Sequence, residues 1–249
     1  MEATKSKKTK QAKHEILFQD EHHLVVNKPA GMGCIPDRRD MGRKSLLEIV
    51  KEEYEDATLV HRLDVTTSGI VLVALHKDAM RHLSMQFEER TVRKEYITFI
   101  QGFCAFEEVT ISKPVGPILR LGATTIRRKG KDSVTEFKRL QNFKGYSKLL
   151  CYPHTGRTHQ IRIHLSDMGL PIVADEKYGG KFPLLSEIKR NYQRTKRKGD
   201  SEERALLERV ALHAKSITYH PFGSEEKKTI LVDMPKDMKL FEEKLQKYA

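Results

Sequence analysis

The segment His61–Ala74, HRLDVTTSGIVLVA, constrains this chain more than any other. Ile70 to Ala74 is an unbroken apolar run, and Ile70 to Leu75 reads as a buried strand. The polar stretch before it, Thr66-Thr67-Ser68-Gly69, reads as a turn anchored by that strand. Asp64 stands directly before the turn, two residues after Arg62. A charged pair on a rigidly held loop is how a scaffold presents a reactive site. Asp64 also suits a turn cap that binds the amides of the following residues, and local sequence weighs the two readings evenly.

The remaining 235 positions of the 249-residue chain set the context. That length suffices for one large domain or two modest subdomains sharing a core. Lys plus Arg number 46 against 34 Asp plus Glu, a formal charge of +12. Such an excess argues for a polyanionic partner, and leaves RNA, DNA and anionic membrane open. No apolar run approaches the ~20 residues of a membrane span. The first residues, MEATKSKKTKQAK, lack the apolar segment of a signal peptide. A cytoplasmic location and no membrane partner are expected. Cys34, Cys104 and Cys151 are an odd number at wide spacing, which reads as three reduced thiols in or near the core.

Residues 1–14 read as a basic disordered tail, and 15–249 as one folded domain. Ile16–Phe18 and Leu24–Val26 pair as a hairpin, broken by Asn27-Lys28-Pro29-Ala30-Gly31. Ser45 to Tyr54 is a helix with Ser45 as N-cap and Glu48 as its capping-box partner. Asp78–Glu89 is an amphipathic helix with Met80, Leu83 and Phe87 inward. Strands are expected at 94–101, 134–140, 148–152, 211–219 and 229–232. Thr158 to Met168 reads as a helix capped by Thr158 and stopped by Gly169. Residues 187–209 are charged and helical in part, and 239–247 form a short last helix. The irregular alternation argues for an α+β fold, a mixed, mostly antiparallel sheet flanked by helices. No seam or heptad is evident, so a monomer is expected.

Several motifs in register now carry a resemblance. HRLD-x-x-TSG resembles the catalytic motif of the RluA-type pseudouridine synthases. Asn27–Gly31, Lys94-Glu95-Tyr96 running to Gly102, Pro153–Leu165, Leu212-His213-Ala214 and His220-Pro221 resemble the family's other motifs in the same order. The resemblance covers roughly Glu15 to Val232, and it implies that 15–249 is the catalytic domain, with no separate N-terminal RNA-binding domain expected before it. It implies the pseudouridine synthase catalytic fold, an RNA substrate, ribosomal or transfer, and isomerisation of uridine to pseudouridine. The reaction exchanges an N-glycosidic for a C-glycosidic bond, so neither cofactor nor metal is called for.

The residues fit that chemistry. Asp64 is the lone carboxylate of its motif, and Glu95, beside Tyr96 on a strand, points to the opposite face. One carboxylate therefore works alone, as nucleophile or as electrostatic partner of a cationic sugar. Arg162 pairs with Asp64 in the family, and Leu165, three residues on, walls the base pocket. Tyr96 offers a ring to stack on uracil and a phenol to move the C5 proton. The resemblance gives Arg62 the task of holding the place of a flipped-out uridine. His61 suits either RNA contact or a hydrogen-bonded structural role. Thr67, Arg157 and Gln160 lie in the same motifs and are expected at the substrate. The basic segments 120–131 and 188–199 suit phosphate tracking or plain solvation. Ala174-Asp175 stands where the family commonly has Gly-Asp, a small turn change.

Two other classes compete. Eleven histidines, among them His154, His159, His164 and His213, invite a metal-dependent hydrolase. Yet no HExxH occurs, and His159 and His164 point about 140° apart around a helix. A binding module that has lost catalysis is the other, and the presence together of Asp64, Tyr96 and Arg162 argues against it.

Overall fold

The computed structural model describes residues 14–37, 42–118, 123–126, 130–192 and 203–249. The strands are β1 (Glu15–Gln19), β2 (His23–Lys28), β3 (Thr58–Leu59), β4 (Ser68–Ala74), β5 (Arg93–Gln101), β6 (Glu108–Ser112), β7 (Val115–Ile118), β8 (Ala123–Ile126), β9 (Val134–Phe143), β10 (Tyr146–Pro153), β11 (Leu212–Tyr219) and β12 (Lys228–Leu231). The helices are α1 (Leu46–Lys51), α2 (Lys77–Glu88), α3 (Gln160–Asp167), α4 (Leu185–Ile188) and α5 (Lys236–Tyr248).

Among the described residues one sheet runs in the order β1-β2-β4-β11-β5-β10-β9-β6, with β3 on β4 and β12 on β11. Its pairs are antiparallel except β4 with β11, where Ser68 faces His213 and Gly69 faces Ala214. The fold is α+β with a mixed, mostly antiparallel sheet.

β4 explains its own sequence. All seven of its residues are buried. Val71 and Val73 pack on the α1 side with Leu46 and Val50, while Ile70, Leu72 and Ala74 pack on the α2 side with Ala79 and Leu83. A strand covered on both faces loses the alternation of a half-exposed one and reads as a continuous apolar run. The third and largest cluster joins β5 and β10 to α3 and α5, with Phe99 meeting Phe241 edge-on at 5.3 Å.

Gly69 makes the parallel junction. Its φ is +113°, and a Cβ there would lie 2.2 Å from the Ala214 carbonyl oxygen. Only glycine permits both the dihedral and the approach.

The capping box of α1 is present: the Glu48 amide donates to Ser45 Oγ, and Glu48 Oε2 accepts from the Ser45 amide at 2.8 Å. The helix stops at Lys51, short of the expected Tyr54. α5 begins at Lys236, three residues before the expected start. The strands β3, β6, β7 and β8 carry no strong sequence signal. β6, for instance, alternates with only Val109 and Ile111 half-buried, as an edge strand does. All three cysteines are free and buried.

α3 departs from expectation at its start. The helix begins at Gln160, not Thr158, and Thr158 is exposed rather than capping. His159 stands at the cap with φ +56°, left-handed, and makes no side-chain cap bond. Gly169, with φ +74°, ends the helix as expected. The basic tail, apart from His14, lies outside the described residues. So do Arg120, Arg127, Arg128 and Lys129 of the first basic segment and 193–199 of the second.

Candidate active site

The site gathers where β4, β11 and β5 meet the N-terminal end of α3. The loop before β4 is strapped to the body at three points and closed on itself at a fourth. Leu72 N–H donates to His61 Nε2 at 3.1 Å, and Leu63 N–H to Cys34 Sγ at 3.2 Å. Gly31 N–H donates to the Val65 carbonyl at 2.7 Å, and Thr67 N–H to the Asp64 carbonyl at 3.1 Å. The first motif supports this from below. Lys28 is wholly buried, and its Nζ donates to the carbonyls of Pro29 and Met32 at 3.0 and 2.8 Å, fixing the 29–32 loop whose Gly31 holds Val65. It is the Asp64 carbonyl, not its carboxylate, that closes the turn, so the turn-cap reading gives way.

The carboxylate is aimed elsewhere. Arg162 Nη1 donates to Asp64 Oδ2 at 3.0 Å. The same guanidinium donates through Nε and Nη2 to both oxygens of Asp175, each at 2.7 Å. Asp175 is 1% exposed. Burial works against the Arg162 charge, but its bonds to Asp175 and Asp64 outweigh that and raise its pKa further. This bidentate clamp fixes the plane of the guanidinium, so its third edge reaches Asp64 in one geometry. The preceding residue, Ala174, delivers Asp175 from a left-handed conformation, φ +59°, that a residue with a Cβ adopts only under strain. Sequence reading missed Asp175. The signal was the acid following the turn residue of the Ala174-Asp175 pair.

His159 completes the surroundings. Its Nδ1 is 2.7 Å from the Tyr178 hydroxyl, and its Nε2 lies 3.6 Å from Asp64 Oδ2, within electrostatic reach but too far for a hydrogen bond. Burial lowers its pKa despite the neighbouring Asp64, so the imidazole is neutral near pH 7. The left-handed turn at His159 puts the ring there.

Tyr96 projects from β5 into the same space and is half-buried. Burial, and then the charge of Asp64, raises its pKa, so the phenol stays protonated. Glu95 faces the other way, 3.9 Å from Lys215. Arg62 is exposed on the rim and forms no ion pair among the described residues. Arg157 is half-buried beside it, its Nε donating to the Asp132 carbonyl at 3.2 Å.

Three expected substrate contacts are turned to other uses. Leu165 is fully buried in the core with Phe99 and Leu149 and lines neither cavity, because the helix face it shares with Arg162 packs on the sheet. Gln160 has its amide fully engaged. Oε1 accepts from Thr155 Oγ1 and the Arg157 amide, and Nε2 donates to the Val134 carbonyl and Thr135 Oγ1. It therefore holds the loop rather than a ligand. His61 borders the cleft, but it accepts the Leu72 amide and stacks on Phe87 at 5.0 Å, and burial pushes its pKa down to about 3, so it stands there as a neutral ring tied to the fold. Thr67 is 2% exposed beside the site, its hydroxyl unpaired among the described residues.

The cleft over these residues encloses about 1360 Å³, bordered by Ile35 and Val65 on one side and His154 and Arg157 on the other. A small-molecule pocket spans roughly 300–1,000 Å³, so this one suits a length of polymer. A narrower recess of about 100 Å³, lined by Asp64, Thr67, Tyr96, Arg162 and Leu212, adjoins it. The histidines that invite a metal reading are scattered: His164 bonds Thr135 and Lys113, and His213 bonds Ser68.

A carboxylate held by a clamped arginine and a tyrosine line one recess at the foot of the cleft of a basic chain, an arrangement suited to an enzyme with a polyanionic substrate. Residues 22–167 match the model of the RNA pseudouridylate synthase family, and the chain belongs to that family, the isomerases that convert uridine in RNA to pseudouridine. It is 34% identical to the dual-specificity RNA pseudouridine synthase RluA of Yersinia pestis, over 84% of this chain and 94% of that protein. It is 34% identical to ribosomal large subunit pseudouridine synthase C of Vibrio parahaemolyticus, over 90% of this chain and 67% of that one. Among solved structures, human RNA pseudouridylate synthase domain containing 1 superposes with a TM-score of 0.64 at 28% identity, covering 89% of this chain and 83% of the other. Among the described residues no helix is long and apolar enough to cross a membrane.

Proposed function

We propose that this enzyme isomerises uridines of ribosomal or transfer RNA through Asp64, as a cytoplasmic monomer whose catalytic domain spans residues 15–249. The observation that carries the reading is the clamp: Asp175 holds Arg162, Arg162 holds Asp64 Oδ2, and Oδ1 has no partner among the described residues. That orientation leaves Oδ1 as the reacting oxygen.

The target uridine leaves its stack and enters the recess beside Tyr96, with Arg62 at the rim taking its place. Asp64, held by Arg162, attacks C1′ or supports departure of uracil by another route. Uracil turns on the face of Tyr96 and its C5 bonds to C1′, and where Asp64 has added to C1′ that carbon–oxygen bond breaks and returns the carboxylate. C5 then carries one hydrogen too many. The neutral Tyr96 phenol relays that proton, accepting at oxygen while its own hydrogen passes to water. N1, freed of the sugar, takes up a proton in turn, so substrate and product have the same atoms. The acid-to-arginine pairing is strengthened by the low dielectric of the recess.

Pseudouridine mapping of total RNA tests this, by chemical adduct and reverse-transcription stops, in a strain lacking the gene and supplied with the parent or Asp64→Asn. A stop restored by the parent alone identifies both substrate and carboxylate. If no site differs, the reading is wrong.

A further inference from the structure

Lys94 is half-buried in the wall of the cleft. Its Nζ lies 5.7 Å from the centre of the Phe87 ring, and among the described residues it makes no hydrogen bond and no ion pair. Lys28 is the instructive contrast. That ammonium is also buried, but it donates to two carbonyls. An ammonium removed from water without partners costs the fold free energy, and methionine or leucine would fill the same space without that cost. Burial pushes the Lys94 pKa down to about 8.

Beyond the face of the Phe87 ring, the surroundings offer the charge no acceptor and no counter-ion among the described residues. His61, next to it, is neutral. Glu95 faces the opposite side of β5, toward Lys215. Glu88 borders the cleft without pairing with it. Lys94 is two residues before Tyr96, so both side chains emerge on one face of the strand, about 6.6 Å apart along it. That is comparable to the span of one nucleotide.

We propose that Lys94 binds a phosphodiester group adjoining the uridine that stacks on Tyr96, and that this contact completes a charge the folded protein leaves unpaired. A compact ammonium suits a phosphate oxygen, and the phosphodiester is the group of RNA that carries a full negative charge. The inference rests on Tyr96 being the base-stacking residue.

Lys94→Met keeps the stem against Phe87 and removes the charge. In the full-length protein without RNA, it is expected to raise the melting temperature. With the RNA hairpin identified by mapping, it is expected to weaken binding at least tenfold. The slope of log affinity against log salt should become shallower by about 1. A second measurement uses the unaltered protein and the same hairpin carrying a single methylphosphonate at each linkage flanking the target. One linkage should weaken binding to the parent by the same factor and leave Lys94→Met unaffected. Lys94→Arg, which keeps the charge, should bind within a few-fold of the parent. Equal affinity and equal slope for parent and Lys94→Met would overturn the proposal, as would methylphosphonate losses that are the same in both. A loss of turnover with an unaltered salt slope would place Lys94 on a base carbonyl and equally overturn it. Failure of the Asp64 reading is separate, since Asp64→Asn retaining activity would leave these binding results untouched.

Discussion

Replacing Asp175 by asparagine tests the clamp with one atom. Arg162 is 7% exposed and Asp175 1% as side chains, and two bonds of 2.7 Å join them. Asparagine keeps one acceptor oxygen but turns an amide N–H toward a guanidinium N–H, so one bond is lost and two donors meet. Removing one partner of a buried pair costs roughly 3–5 kcal/mol. Because Asp64 remains as a counter-charge, about 3 kcal/mol is expected here. Unfolding by urea should show this as a lower midpoint at unchanged slope. The second consequence is catalytic. A guanidinium freed from the fork no longer presents Nη1 to Asp64 in one geometry, and a misplacement of ~1 Å costs on the order of 10²-fold in rate. Single-turnover release of tritium from [5-³H]uridine in RNA measures it, with RNA binding held near that of the parent. A variant with the parent's urea midpoint and the parent's rate would refute the argument that Asp175 orients Arg162.

Gly69→Ala should destabilise the protein by about 3 kcal/mol or more, since a Cβ would meet the Ala214 carbonyl at 2.2 Å; thermal unfolding decides, and an unchanged midpoint would mean that β4 and β11 part at little cost. Stability should fall as pH drops below about 6.5. Burial, followed by the Arg209 charge, pushes the His213 pKa to about 4, and burial with Lys94 pushes His61 to about 3. Between those values and 6.5 the unfolded chain binds protons that the native state refuses, so each group removes about 1.4 kcal/mol per pH unit descended. Urea midpoints at pH 7 and pH 5 check the sign, and a higher midpoint at pH 5 would contradict it.

What the sequence made legible was local. The capping box at Ser45 and Glu48 needs only four residues. The apolar run of β4 announces a strand covered on both faces, and the turn before it is written in its own residues. Asp64, Tyr96 and Arg162 were identified by motif, and the structure brings them to one recess. The features that escaped depend on distant partners. The left-handed His159 that moves the start of α3 is bonded to Tyr178. Gln160 looked like a substrate contact because nothing in its neighbourhood shows that four groups of the fold saturate its amide. Asp175 is an unremarkable turn acid until Arg162 is seen against it. Leu165 shares a helix face with Arg162, but the packing of α3 on the sheet sends it into the core.

The meeting of Gly69 with Ala214 has a bearing on biosynthesis. These residues are 145 positions apart, and the recess lies beside their contact. A nascent chain that has exposed Asp64, Tyr96 and even Arg162 still lacks the strand that seats between β4 and β5. Until β11 emerges and threads into the middle of the sheet, the carboxylate has no finished recess and β4 has an open edge. Such a late, long-range closure makes folding slow and leaves the partial chain exposed to aggregation. It also ties competence for the reaction to completed synthesis, so that a truncated product released early would be inert toward the RNA around it.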